Sequence, residues 1–84
     1  MAPEPEQLRL LLVDDEPKLT EFLRMELEVE GYAVQIAHDG ASGLIALRSE
    51  PGPDLVLLDW TLSDFTGLDI CRRIRATGMT VPVL

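Results

Sequence analysis

Two short apolar runs in this chain each end abruptly on acid. Residues 8–13 read LRLLLV and run into Asp14-Asp15-Glu16-Pro17, and residues 55–58 read LVLL and run into Asp59. The second run is preceded by a Pro-Gly-Pro turn. Runs this short and this apolar predict strands covered on both faces, as parallel strands under helices are. A buried parallel strand that stops on a carboxylate delivers that carboxylate to the edge of its sheet.

The intervening segments predict the helices such a sheet needs. Pro17 suits a first helical turn, and acids just before it suit a helix N-terminus. Leu19, Phe22, Leu23 and Leu27 recur at helical spacing, and Gly31 stands at a C-cap position. Residues 32–37, YAVQIA, alternate as a second strand. Asp39-Gly40 turns the chain into a short helix carrying Ala41, Leu44, Ile45 and Leu47, closed by SEPGPD. After residues 55–58, Ser63-Asp64 and Gly67 form a loop, and Ile70, Cys71 and Ile74 line a third helix ending at Gly78. VPVL, residues 81–84, predicts the opening of a fourth strand, with Pro82 tolerable near its start.

The order β-α-β-α-β-α-β predicts a doubly wound parallel sheet with right-handed crossovers. Ligands of such sheets bind beyond the carboxyl ends of the strands, where strand order reverses. The first and third strands are expected to be neighbours there, bringing Asp14, Asp15 and Asp59 together. Three like charges that close repel unless a cation sits among them. Mg²⁺ fits, being a hard ion held by one or two carboxylates plus waters and phosphate. A carboxylate at such a centre can attack phosphorus and form an aspartyl phosphate. Taken singly, Asp14-Asp15-Glu16 also reads as a helix cap and Asp59 as a turn residue.

The chain has 84 residues, enough for one small domain. Fifteen acidic residues stand against seven basic ones, for a net charge of −8, which argues against direct contact of this segment with nucleic acid and for cations or basic partners. The one cysteine, Cys71, has no internal partner, as expected in a reducing compartment. The opening MAPEPEQ is acidic and Pro-rich, unlike a signal peptide, and no apolar stretch is long enough to span a bilayer. These features predict a cytoplasmic location without membrane contact.

Jointly, LLLVDDEP, GYAVQIAHDG, PDLVLLDWTLSDFTGLDICRRIR and VPVL resemble the receiver domain of two-component response regulators, over residues 8–84. The resemblance implies a flavodoxin-like (CheY-like) fold of sheet order 2-1-3-4-5, here incomplete and ending within strand four. It divides the chain into a flexible tail, residues 1–7, and a partial receiver domain, residues 8–84. It implies Asp59 as phosphoacceptor, Asp14 and Asp15 as the Mg²⁺-holding pair, and Thr61 as the residue lending its backbone carbonyl to the metal. The implied donor is a phosphohistidine on a sensor histidine kinase. GLDICRRIR and VPVL look most like regulators with a C-terminal winged-helix, DNA-binding domain, which implies control of transcription through an output domain absent from this chain. Such a module is a signalling phosphoacceptor, not an enzyme. Two departures stand out: Ser63 replaces the usual Pro, and the hydroxyl residue after strand four and the lysine after strand five are missing.

The same residues bear other readings. A haloacid-dehalogenase-like phosphatase needs a second Asp two positions after the first, and position 61 is Thr. A nucleotide-binding fold needs a Gly-rich loop where Asp14-Asp15 would repel phosphate. The remaining alternative is a non-catalytic interaction module, and the open sheet edge of the partial fold predicts self-association. His38 reads as a surface turn residue, Cys71 as a small core residue, and Lys18 as a solvated charge. Arg72, Arg73 and Arg75 read as a solvated face, and Trp60 as a half-buried shield of the acidic edge.

Overall fold

A computed structural model describes residues 7–84. The proposed tail, residues 1–7, lies outside the described residues except for Gln7. The elements follow the predicted order: β1 (Arg9–Val13), α1 (Pro17–Val29), β2 (Ala33–Ala37), α2 (Gly40–Leu47), β3 (Leu55–Leu58) and α3 (Gly67–Ala76). The strands form one parallel sheet in the order β2-β1-β3. The central strand β1 is the most buried, since Leu10, Leu11, Leu12 and Val13 are covered on both faces.

One face of the sheet carries the core. Leu11, Val13, Val56 and Leu58 point from β1 and β3 onto Ala46 and Leu47 of α2 and Ile70 and Ile74 of α3. Ile70 and Ile74 are almost fully buried, and truncating either to Ala would remove about 2–5 kcal/mol of stability.

The opposite face carries α1, and here the helix is rotated from the expected apolar face. Thr20 is buried, and Leu23, Arg24 and Leu27 are half-buried, whereas Leu19 and Phe22 turn outward at 44% and 58% exposure. A buried threonine is tolerated at this position because its hydroxyl donates to the Pro17 carbonyl at 3.0 Å, so no polar group is orphaned. The signals at the ends of α1 act as read: Pro17 opens it, the Glu16 side chain accepts from the Lys18 N–H, and Gly31 follows its C-terminus at φ +97°, a conformation open to glycine.

Two expectations need correction. β3 is not covered equally on its two faces, since Val56 and Leu58 are buried but Leu55 and Leu57 only half-buried. The fourth strand is reduced to one parallel bridge, Val56 to Val83. The Pro82 carbonyl accepts from Val56 N–H, and Leu84 exchanges bonds with Val56 and Leu58. Pro82 itself has no N–H to offer a ladder. The Arg75 guanidinium steadies the approach to this segment by donating to the Met79 and Val81 carbonyls at 3.1 and 2.9 Å. Among the described residues no helix is long and apolar enough to cross a membrane.

Candidate metal centre

The three strands end level with one another. Val13 is in register with Ala37 on one side and with Leu58 on the other. The next residues, Asp14 and Asp59, therefore leave the sheet side by side. The Asp59 N–H donates to the Val13 carbonyl at 2.9 Å, and the Asp14 N–H donates to the Ala37 carbonyl at 3.0 Å. The position of both acids is thus fixed by the last rungs of the ladder and not by a loose loop.

Asp14, Asp15 and Asp59 each place a carboxylate oxygen within 4.8 Å of the other two. Asp14 and Asp59 are half-buried and Asp15 is exposed. Local bonds orient the two half-buried acids: Asp14 Oδ1 accepts the Glu16 N–H at 2.9 Å, and Asp59 Oδ1 accepts the Thr61 N–H at 3.2 Å. Each carboxylate keeps its second oxygen free of protein hydrogen bonds among the described residues. Three convergent carboxylates are an all-oxygen donor set, suited to a hard divalent cation such as Mg²⁺ and unsuited to soft metals.

The loop after Asp59 is closed on itself. Thr61 and Thr66 form an antiparallel bridge, and the Leu62 N–H donates to the Phe65 carbonyl at 3.2 Å. A capping box then starts α3: the Thr66 hydroxyl accepts the Asp69 N–H while the Asp69 carboxylate accepts the Thr66 N–H. Gly67 donates to the Trp60 carbonyl at 2.9 Å, and a Cβ at Gly67 would lie 2.8 Å from Trp60 Cε3 and 3.0 Å from Trp60 Cα. Only glycine lets α3 begin this close to the residue following Asp59.

Of the neighbouring residues, Trp60 departs from its sequence reading and the others follow theirs. Trp60 is 63% exposed, so it does not shield the acids as a half-buried ring; its position over Gly67 holds it outward. His38 is exposed as expected, with Nδ1 3.1 Å from the Asp14 carbonyl. Lys18 lies exposed in the first turn of α1, and Cys71 packs half-buried against the core. Arg73 lies over the Phe65 ring at 4.8 Å, so the arginine face is held by aromatic and carbonyl contacts. A cavity of about 210 Å³ between the C-terminal ends of α2 and α3 carries no acid and lies at the far end of these helices.

Sequence reading passed over Asp64. Its carboxylate accepts the N–H groups of Gly40 and Ala41 at 2.8 and 3.0 Å. These bonds, that from Gly40 foremost, hold the Asp64 carboxyl below the ordinary carboxylate range. No local spacing signals the contact, because the partners lie 24 and 23 residues away.

Comparison with known proteins shows the family. The transcriptional regulatory protein TrcR of Mycobacterium tuberculosis is 47% identical over 77 residues, covering 92% of this chain and 30% of that protein. YkoG of Bacillus subtilis, an uncharacterized transcriptional regulatory protein, is 46% identical over 79 residues, covering 94% of this chain and 34% of its own. This chain therefore spans about a third of the length of these curated relatives. Among solved structures, the non-phosphorylated HemR receiver domain of Leptospira biflexa superposes with a TM-score of 0.82 at 32% identity, covering 92% of this chain and 61% of that one. The response regulator TrrA of Thermotoga maritima, solved in complex with Mg(2+)-BeF, superposes at 0.78 with 37% identity, covering 84% of this chain and 61% of that one. The family model of the response regulator receiver domain matches residues 10–84. The chain belongs to the response regulator receiver domain family.

Proposed function

We propose that Asp59 accepts a phosphoryl group from a phosphohistidine of a sensor histidine kinase, and that this modification controls a DNA-binding output domain acting in transcription. The carrying observation is the convergence of three carboxylates within 4.8 Å at the ends of two adjacent parallel strands. Asp14, Asp15 and Asp59 would hold Mg²⁺, joined by the Thr61 backbone carbonyl from the loop that Asp59 itself anchors. Bound there, the ion would offset negative charge on the transferring phosphoryl oxygens.

The protein's own part is positioning. With Asp59 Oδ1 engaged by the Thr61 N–H, Oδ2 is the oxygen free to attack phosphorus. The new O–P bond forms as the P–N bond of the phosphohistidine breaks, and the imidazole nitrogen keeps the electron pair. The relatives' names as transcriptional regulatory proteins support the output reading, and the TrrA complex supports the cofactor. The net charge of −8 suits a module that does not itself touch DNA. It works as a cytoplasmic phosphoacceptor and not as an enzyme turning over a separate substrate.

A small phosphodonor is expected to label the protein only when Mg²⁺ is supplied, with the label lost in Asp59→Asn and reduced in Asp15→Asn. Labelling of Asp59→Asn at the wild-type level would refute the assignment.

A second reading is favoured by the half-exposed Leu55 and Leu57 and by Phe22 and Met25, exposed at 58% and 61%. In a polypeptide ending at Leu84, self-association would cover these apolar side chains and the sheet edge left by residues 82–84, which pair with β3.

A further inference from the structure

Three loops meet at the carboxylate edge, and hydrogen bonds between them close a ring. The Asp59 N–H on the Val13 carbonyl joins the loop after β3 to β1. The Asp14 N–H on the Ala37 carbonyl, with His38 beside the Asp14 carbonyl, joins β1 to the loop after β2. The third link runs from α2 back to the loop after β3, and Asp64 makes it.

The N-terminal turn of α2 presents N–H groups without helical partners. Two acids take them: Asp39 accepts from Ser42 at 2.7 Å, and Asp64 accepts from Gly40 and Ala41 at 2.8 and 3.0 Å. Among the described residues no other hydrogen bond joins residues 60–66 to α2. Packing holds the same joint. A Cβ at Gly40 would stand 2.5 Å from Phe65 Cδ2 and 2.7 Å from Ile70 Cδ1, so the helix end and the loop are already in full contact. Loop residues 61–66 are otherwise tied mainly to themselves and to the start of α3.

We infer that Asp64 is a positioning residue for the acceptor site: by gripping the start of α2 with both carboxylate oxygens, it fixes the loop that carries Thr61 and so sets the affinity of Asp14, Asp15 and Asp59 for a divalent cation. The inference rests on the reading of those three acids as a Mg²⁺ site. Asp64 touches neither metal nor phosphoryl group; it acts through the loop.

Trp60, the chain's only tryptophan, adjoins Asp59 and reports on the site by its emission. In Mg²⁺ titrations, Asp64→Ala is expected to raise the midpoint roughly tenfold, the lower end of what outer-shell partners of metal ligands contribute. Asp64→Asn loses the charge but keeps one acceptor, so its midpoint is expected to fall clearly between wild type and Asp64→Ala. Equal midpoints for Asp64→Asn and Asp64→Ala would overturn the inference in favour of a simple charge effect. A lowered melting temperature with wild-type midpoints in both variants would overturn it in favour of a purely structural role. Wild-type emission that ignores Mg²⁺, or a midpoint unmoved by Asp15→Asn, would instead sink the metal reading and this inference with it.

Discussion

Gly67→Ala places one methyl group against the residue that follows Asp59, the proposed phosphoacceptor. The added Cβ would meet Trp60 Cε3 at 2.8 Å, Trp60 Cα at 3.0 Å and Trp60 Cδ2 at 3.1 Å. The exposed indole can swing away, but the Cα belongs to backbone held by the Gly67 N–H on the Trp60 carbonyl at 2.9 Å. Either that bond lengthens or the Asp59-Trp60 backbone shifts. Overpacking of this kind costs about 1–3 kcal/mol. Alanine returns about 0.4–1 kcal/mol by restricting the unfolded chain. The net is a loss of about 1–2 kcal/mol, and for a domain of this size each kcal/mol lowers the melting temperature by roughly 4–8 °C. Thermal unfolding followed by circular dichroism is the assay, with the Mg²⁺ midpoint from Trp60 emission as a second readout. A rise in melting temperature would show that helix propensity outweighs the contact, and the close approach of α3 to Trp60 would then not be a constraint on the site.

Three further outcomes follow from the same structure. Removing one of the crowded acids relieves repulsion, so Asp59→Ala and Asp14→Ala are each expected to raise the melting temperature in Mg²⁺-free buffer by an amount equal to about 1 kcal/mol; a decrease in both would mark these acids as turn-formers. Asp59→Ala is the cleaner test, since the bond it forfeits, at 3.2 Å, is longer than the 2.9 Å bond of Asp14. Asp64 titrates below the ordinary 3.8, so its contribution is present above that pH and is lost as pH falls through its depressed value. Acid unfolding of Asp64→Asn is accordingly expected to be less steep than wild type below about pH 4, and parallel curves would contradict the grip on α2. Light scattering with size-exclusion chromatography on a chain ending at Leu84 is expected to show self-association; a compact monomer of 9.3 kDa with a cooperative melt would contradict the second reading.

The acidic edge was legible because it depends on strand ends alone. Apolar runs that stop on Asp14 and Asp59, joined by helical crossovers, leave a parallel sheet little freedom in where those acids emerge. The ends of α1 at Pro17 and Gly31 were legible for the same local reason. Contacts that cross the sequence were not. Nothing in the spacing of Asp64 announces that it would reach Gly40, since helix-terminal N–H groups donate to any carboxylate that arrives. The inward face of α1 was misjudged by one position because Thr20, polar by composition, buries its hydroxyl on the Pro17 carbonyl and leaves Leu19 and Phe22 facing out. Trp60 was expected to be a half-buried shield of the acidic edge, but it packs against the start of α3 at Gly67 and stays exposed.

The central claim is that one carboxylate, Asp59, takes the phosphoryl group while its neighbours hold the metal. An acyl phosphate is reduced by borohydride to the alcohol, so a phosphorylated aspartate is converted to homoserine and can be located by peptide mass spectrometry. After treatment with a small phosphodonor and Mg²⁺, homoserine is predicted at position 59 and nowhere else. Homoserine at position 14 or 15, or phosphate retained on His38 with Asp59 intact, would contradict the account.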